Sequence, residues 1–338
     1  MQFKRTYSTI DVHTAGEPLR IVTAGIPFIP GDTILDKRRW VKTHLDHVRT
    51  ALMHEPRGHA DMYGCYLTPP VTSDADMGVI FMHNEGYSSM CGHGIIALAS
   101  VAVETGMVPK TTPETRIGID SPAGFIEAFV QWDGQQVGGV RFVNVPSFLY
   151  ARDVTVNTQH FGSLSIDVSY GGAFYAYLEA EKVGIEVTPA NASQLIQLGD
   201  EVKHATEAAL EVVHPLEPEL RGIYGTIISQ QHTPTSGIKR AQRNVCVFAD
   251  REVDRSPTGT GTAGRVAQLH SKGELALGEV LQNASIINTV FTGTPLRELN
   301  VGDYAAVSVE VRGSAHITGF AQWVVDERDP VGEGFLLR

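Results

Sequence analysis

Two short segments in different halves of the chain share a pattern: Met90-Cys91-Gly92-His93-Gly94 and Pro257-Thr258-Gly259-Thr260-Gly261. Each stands just before a run of small and apolar residues, 92–105 and 259–272, that reads as a helix opened by glycines. This faint repeat constrains the fold more than composition does. It asks for two similar halves, each wrapped around one apolar helix, facing each other so that the two helix starts meet across one cleft. The 338 residues are comfortable for two cores, taking roughly 150 residues per domain.

The rest of the chain reads mostly as β. Helical periodicity recurs only at 35–53, which ends before Pro56, and at 188–213, which opens Thr-Pro. Segments 125–132 and 136–145 flank Asp133-Gly134, a strong short hairpin signal. Strands and helices do not alternate regularly, which argues against a doubly wound parallel sheet. The expectation is α+β: two pseudo-symmetric domains, each a curved, mostly antiparallel sheet around a central helix. Val145-Pro146-Ser147 marks a boundary. It gives an N-terminal half 1–145, completed by 315–338, and a C-terminal half 146–314.

Lys and Arg number 27 against 38 Asp and Glu, so the net charge is 27 − 38 = −11, and no basic cluster exceeds Lys37-Arg38-Arg39. A phosphate backbone would be repelled, and nucleic acid is not an expected partner. Residues 1–12 hold no signal-like apolar stretch, and no apolar run approaches the roughly 18 residues that would span a bilayer. Cys65, Cys91 and Cys246 are odd in number and far apart, which argues for a reducing compartment. A soluble cytoplasmic protein is expected.

A cysteine at a helix start feels the positive end of the dipole and nearby unsatisfied N–H groups, which favour thiolate. Gly92 and Gly94 let a ligand approach the backbone, whose N–H groups can bind a carboxylate. A thiolate beside a carboxylate site is a sensible base for a proton alpha to that carboxylate. At the second start, Gly259-Thr-Gly-Thr-Ala-Gly264 satisfies the dinucleotide-binding glycine pattern, but Asp254 to Pro257 separate it from the preceding strand and no parallel β-α-β pattern follows. The nucleotide reading is set aside on that ground.

These residues resemble the proline racemase family. The resemblance rests on Asp11-Val-His-Thr-Ala-Gly-Glu-Pro-Leu-Arg20, Met53-His-Glu-Pro-Arg-Gly-His59, Glu85-Gly-Tyr-Ser-Ser-Met-Cys-Gly-His-Gly94, Gly171-Gly-Ala-Phe-Tyr-Ala176 and Asp254-Arg-Ser-Pro-Thr-Gly-Thr-Gly-Thr262. The matches run in family order over nearly the whole chain. They imply the two-domain diaminopimelate-epimerase-like fold with the active site between the halves, and cofactor-independent chemistry at Cα of a small imino acid, with no metal. By the resemblance, Cys91 is the first catalytic cysteine. Gly92 and His93, with Gly259 and Thr260, bind the substrate carboxylate, and Asp254 holds the imino nitrogen. His13, Glu17 and Arg57 match family positions and are read as supporting. The resemblance also suggests a homodimer.

The departure is Thr258, where racemases and hydroxyproline epimerases of the family carry a second cysteine. An alcohol cannot act as a base near neutral pH without an adjacent general base. Two-base epimerisation should be crippled while proton removal by Cys91 survives. In trans-3-hydroxy-L-proline the hydroxyl shares a ring face with the α-hydrogen. One thiolate on that face could take the proton and return it to the departing hydroxyl, giving an enamine that tautomerises to pyrroline-2-carboxylate. Dehydration of that substrate is what the Cys/Thr branch of the family implies, with Thr258 positioning substrate or a water. The alternative is a proline or 4-hydroxyproline racemase or epimerase with a degraded second base.

Other motifs have plainer readings. His54-Glu55 and His59 miss zinc spacing by one residue, and Pro56 breaks the helix. Asp74 and Asp76 end a loop, Cys65 and Cys246 sit in apolar strands, and the aromatic segment 170–177 reads as core. A Cys91–His93 protease pair is rejected because residues two apart on a helix point in different directions.

Overall fold

The structure is a computed structural model that describes residues 3–235 and 237–337. Its contacts divide the chain into two units, Met1–Val140 with Ser314–Arg338, and Arg141–Gly313. The first unit begins with strands β1 (Phe3–Thr14) and β2 (Glu17–Ala24), then helices α1 (Ile34–His44) and α2 (Asp46–Met53). It continues with β3 (Tyr63–Thr68), β4 (Met77–His83), helix α3 (Gly92–Glu104), β5 (Glu114–Ser121) and β6 (Gly124–Trp132). Strand β7 (Val137–Val143) carries the chain into the second unit. There follow β8 (Ser147–Asn157), β9 (Ser163–Tyr170), β10 (Phe174–Glu179), helix α4 (Ala192–Ala209), β11 (Gly225–His232), β12 (Arg240–Phe248) and β13 (Glu252–Asp254). Helix α5 (Gly259–Ser271), β14 (Leu281–Ala284), β15 (Val290–Val301) and β16 (Tyr304–Gly313) complete it, and β17 (Ala315–Asp326) returns to the first unit. The fold is α+β, and antiparallel pairs predominate.

Each unit has the same strand logic. In the first, β17, β1 and β2 are antiparallel neighbours, β2 and β3 run parallel, β3 and β4 antiparallel, β4 and β5 parallel, and β5 and β6 antiparallel. In the second, β8, β9 and β10 are antiparallel, β10 and β11 parallel, β11 and β12 antiparallel, β12 and β14 parallel, and β14 and β15 antiparallel. Strand β16 pairs with β15 and also with β8, closing that ladder on itself. Parallel neighbours need a crossover, and helices supply all four. The first crossover of each unit carries the outer helices, α1 with α2 or α4. The second carries the central helix, α3 or α5.

The expectation that no parallel crossover surrounds the second glycine-rich start is therefore corrected: β12 and β14 are parallel neighbours with α5 between them. The pattern was hidden because β13, only three residues long, intervenes and pairs antiparallel with β12. The nucleotide geometry still fails, since the helix does not follow directly from a parallel strand. Gly264, the third glycine of the pattern, is used for packing. A Cβ there would lie 2.3 Å from the Tyr177 hydroxyl.

Residues Gly92 to Val103 of α3 are all buried, as expected for a helix that is apolar all round. It packs against β1, β2, β5, β6 and β17, while α5 packs against β8, β9, β10, β15 and β16. Helix α5 buries Arg265 and Gln268 as well. Arg265 is satisfied by Gln242, Gln268 and Glu179, and Gln268 donates to Asp167. Two helical segments differ from the sequence reading: 35–53 is broken in two, and 188–213 is α-helical only over Ala192–Ala209. The segment 35–53 splits at Leu45 (φ −120°, ψ 11°), which stays buried and so kept the apolar period unbroken across the break. Helix α4 starts at Ala192, after a separate 3-10 turn at Pro189–Asn191. No helix among the described residues is long and apolar enough to cross a membrane.

Candidate active site

In the first unit Cys91 is the N-cap of α3, with extended backbone (φ −143°, ψ 107°). Standing just outside the helix, its side chain folds back over the first turn, and Sγ accepts the Gly94 N–H at 3.3 Å. Negative charge on the sulfur would thus be met by a backbone donor as well as by the helix dipole. Gly94 has to be glycine: a Cβ would come within 2.4 Å of Cε1 of Phe81, a fully buried ring, and 3.1 Å of Sγ itself.

The same conformation overturns the expectation that Cys91 and His93 point apart. Sγ lies 3.1 Å from Nδ1 and 3.7 Å from Nε2 of His93. The two-apart rule holds for residues that are both helical, and Cys91 is not. The pair is 5 % and 4 % exposed. The His93 and Tyr63 rings are T-shaped to one another, 4.9 Å between centroids, and the Tyr63 hydroxyl is hydrogen-bonded to Ser88. The Thr14 hydroxyl donates to the His93 carbonyl at 2.9 Å.

In the second unit Thr258 is the N-cap of α5, in a different backbone state. Its φ of 64° with ψ 102° is a strained conformation for a β-branched residue, a cost of about 1–3 kcal/mol. Its side chain makes no capping bond, and Oγ1 is buried without a hydrogen-bond partner among the described residues. The strain is held by what surrounds it. The Pro257 carbonyl accepts from Asn244 Nδ2 at 3.0 Å, Asn283 Nδ2 at 3.2 Å and Thr262 Oγ1 at 3.2 Å. The Thr258 N–H donates to Ser256 Oγ at 3.1 Å, and the Ser256 N–H donates to buried Asp254 at 2.7 Å. The first turn is tied from β10: the Tyr175 hydroxyl and Thr260 Oγ1 are 2.7 Å apart, and the Tyr177 hydroxyl donates to the Gly261 carbonyl at 2.8 Å. Burial pushes both phenols well above their ordinary pKa. Gly171 lets the β9–β10 turn touch this helix start, since a Cβ there would meet the Thr260 carbonyl at 2.2 Å.

The structure thus brings Cys91, Gly92 and His93 together at one helix start, and Asp254, Thr258, Gly259 and Thr260 at the other. At each start the first-turn N–H groups lack intrahelical acceptors, as every helix start requires, and they suit a carboxylate. His13, Glu17 and Arg57 belong to the first unit's framework. His13 accepts the Gly16 N–H, Glu17 is fully buried at the start of β2, and Arg57 donates to the Val324 and Gly332 carbonyls. Asn244, Asn283, Tyr175 and Tyr177 were missed as site supports. Two tyrosines two apart on a strand share one face, so that spacing was the available signal for β10. The asparagines lie 39 residues apart in sequence (283 − 244) and carry no local signal.

The chain is similar to proteins of known kind over its full length. The family pattern described as Proline racemase matches residues 9–336. A trans-3-hydroxy-L-proline dehydratase of Burkholderia cenocepacia is 59% identical, with 100% of both chains covered. A 3-hydroxyproline 2-epimerase of Burkholderia multivorans is also 59% identical, again over 100% of both chains. Among solved structures, a hydroxyproline epimerase from Agrobacterium vitis with bound trans-4-hydroxy-L-proline superposes with a TM-score of 0.91 at 30% identity, covering 100% of this chain and 97% of that one. With the repeat, the two capped helices and the matched ladders already in place, these likenesses assign the chain to the proline racemase family.

Proposed function

We propose that the chain dehydrates trans-3-hydroxy-L-proline to pyrroline-2-carboxylate without a cofactor, as a hydro-lyase. The carrying observation is the inequality of the two N-cap side chains. Cys91 has a thiol with a backbone donor and an imidazole beside it, whereas Thr258 has a buried hydroxyl with no base attached. An alcohol so placed does not shuttle protons at neutral pH, so chemistry is one-sided. Cys91 removes the Cα proton, and the 3-hydroxyl on the same face departs. By family position, the N–H groups of Gly92, His93, Gly259 and Thr260 take the carboxylate, Asp254 takes the imino nitrogen, and Thr258 positions substrate. Close likeness to a dehydratase over the whole chain supports this reading. Cytoplasmic location and a homodimer are proposed with it, from three cysteines that form no disulfide among the described residues and from the family resemblance respectively.

The equally similar epimerase favours a second reading, a 3-hydroxyproline epimerase in which another group serves the Thr258 face. One assay separates the two. Enzyme and trans-3-hydroxy-L-proline are incubated in heavy water, and pyrroline product and Cα deuterium are followed by NMR. Pyrroline formation is expected; deuterated, inverted hydroxyproline without pyrroline would replace the dehydratase reading with the epimerase.

A further inference from the structure

The reading above uses only the backbone of His93, yet its imidazole touches the reacting sulfur. We propose that His93 is the acid of the elimination, delivering the proton that turns the departing 3-hydroxyl into water, while Cys91 acts only as base. This rests on the dehydratase reading and deepens it. Hydroxide is a poor leaving group, since water, its conjugate acid, is a very weak acid. Its departure needs a proton as the C–O bond breaks. A lone thiolate cannot donate until it has first accepted. Two groups side by side can act together, and the Sγ to Nδ1 separation of 3.1 Å sets base and acid next to each other. That matches a substrate whose acidic hydrogen and leaving group sit on adjacent carbons of one ring face.

The resting pair is thiolate and imidazolium, each charge stabilising the other. Sγ takes the Cα proton, and the C–H electron pair becomes the Cα–Cβ double bond. The C3–O bond breaks with its electrons on oxygen, and His93 Nδ1 gives that oxygen a proton, releasing water. The enamine tautomerises to the imine. The thiol then passes its proton to Nδ1, restoring the pair, so no co-reactant is consumed. Two contacts hold the residue in place: the His93 ring meets that of Tyr63, itself stacked on His83, edge-on, and the Thr14 hydroxyl donates to the His93 carbonyl.

The test is His93→Asn, whose side-chain amide can reach the position of Nδ1 and bond the sulfur but cannot act as an acid. Three rates are read for wild type and variant: water elimination from trans-3-hydroxy-L-proline, Cα deuterium exchange in the same substrate, and fluoride release from trans-3-fluoro-L-proline, which needs no protonated leaving group. Water elimination should fall about 100-fold or more, the usual worth of a general acid. Exchange and fluoride release lose only the thiolate that the imidazolium stabilised, so both should fall together and at least about 10-fold less than water elimination, and their persistence reports that the variant is folded. Equal loss of all three in both His93→Asn and His93→Gln would reduce His93 to a support for Cys91, and unimpaired water elimination would remove it from the chemistry. A wild type that forms no pyrroline would instead overturn the dehydratase reading, and this proposal with it.

Discussion

The starts of α3 and α5 occupy the same place in matched ladders, and both helices are 13 residues long. They differ in one residue's chemistry and in its backbone. Cys91 is relaxed and engaged, with an extended backbone, a donated N–H and a ring beside its sulfur. Thr258 is strained and unengaged, its φ positive and its hydroxyl buried without a partner among the described residues. The difference teaches that a helix start by itself does not make a base. The side chain at the cap, and what that cap's backbone lets it touch, decide which of two similar starts can move a proton.

The largest effect is expected for Cys91→Ser: pyrroline formation should fall by about 10²–10⁴-fold, the range for loss of a general base, and full activity would end the account. Next is Thr258→Cys, which makes the two starts alike. Deuterated, inverted hydroxyproline should appear about 10-fold or more above wild type, on the scale of an added acid–base group. Asn283→Ala removes a donor from the Pro257 carbonyl and should cost about 1–3 kcal/mol in urea unfolding. Hydrogen exchange should quicken at the Thr262 N–H, which bonds the Thr258 carbonyl, while the α3 amides stay protected. Thr258→Val keeps the branched shape and deletes the orphan hydroxyl. It should stabilise by about 1 kcal/mol while slowing turnover, showing that the hydroxyl is kept for substrate rather than for the fold.

The smallest effect concerns acid. Burial would raise the Asp167 carboxyl, but Lys272 and Gln268 at the far end of α5, together with the Asp153 N–H, outweigh it and hold its pKa low. A carboxyl more acidic when folded stabilises above its unfolded pKa, and that stability is lost as pH falls through the folded value. Asp167→Asn should therefore melt lower at neutral pH and lose less Tm below about pH 4.

Much of this was legible in the sequence. The glycines around Cys91 and Thr258 located both central helices to within a residue at either end, because a glycine-framed start followed by small apolar residues has few other uses. That position 258 carries an alcohol and no thiol was legible too, since it depends on residue type alone. What stayed hidden was pairing at a distance. The four parallel crossovers depend on strands far apart in sequence, and the hold on the Pro257 carbonyl combines Asn244 and Asn283. The Cys91–His93 contact was misjudged for a local reason, because the cap residue's φ and ψ were assumed helical. Likewise Leu45 hid a break by keeping its apolar face inward.

The return of β17 to the first unit sets an order of assembly. Residues 141–313 form one unbroken stretch, so the unit bearing Thr258 has all its strands before β17 exists. Helix α3 packs against β17, and β1 pairs with it from Phe3 to Thr14. On a ribosome, therefore, the thiol-bearing half is the last to close although most of it is made first. The helix that Cys91 caps gains its β17 neighbour only after residues 315–326 have emerged, so a product cut before them would carry an unfinished first unit and a finished second one.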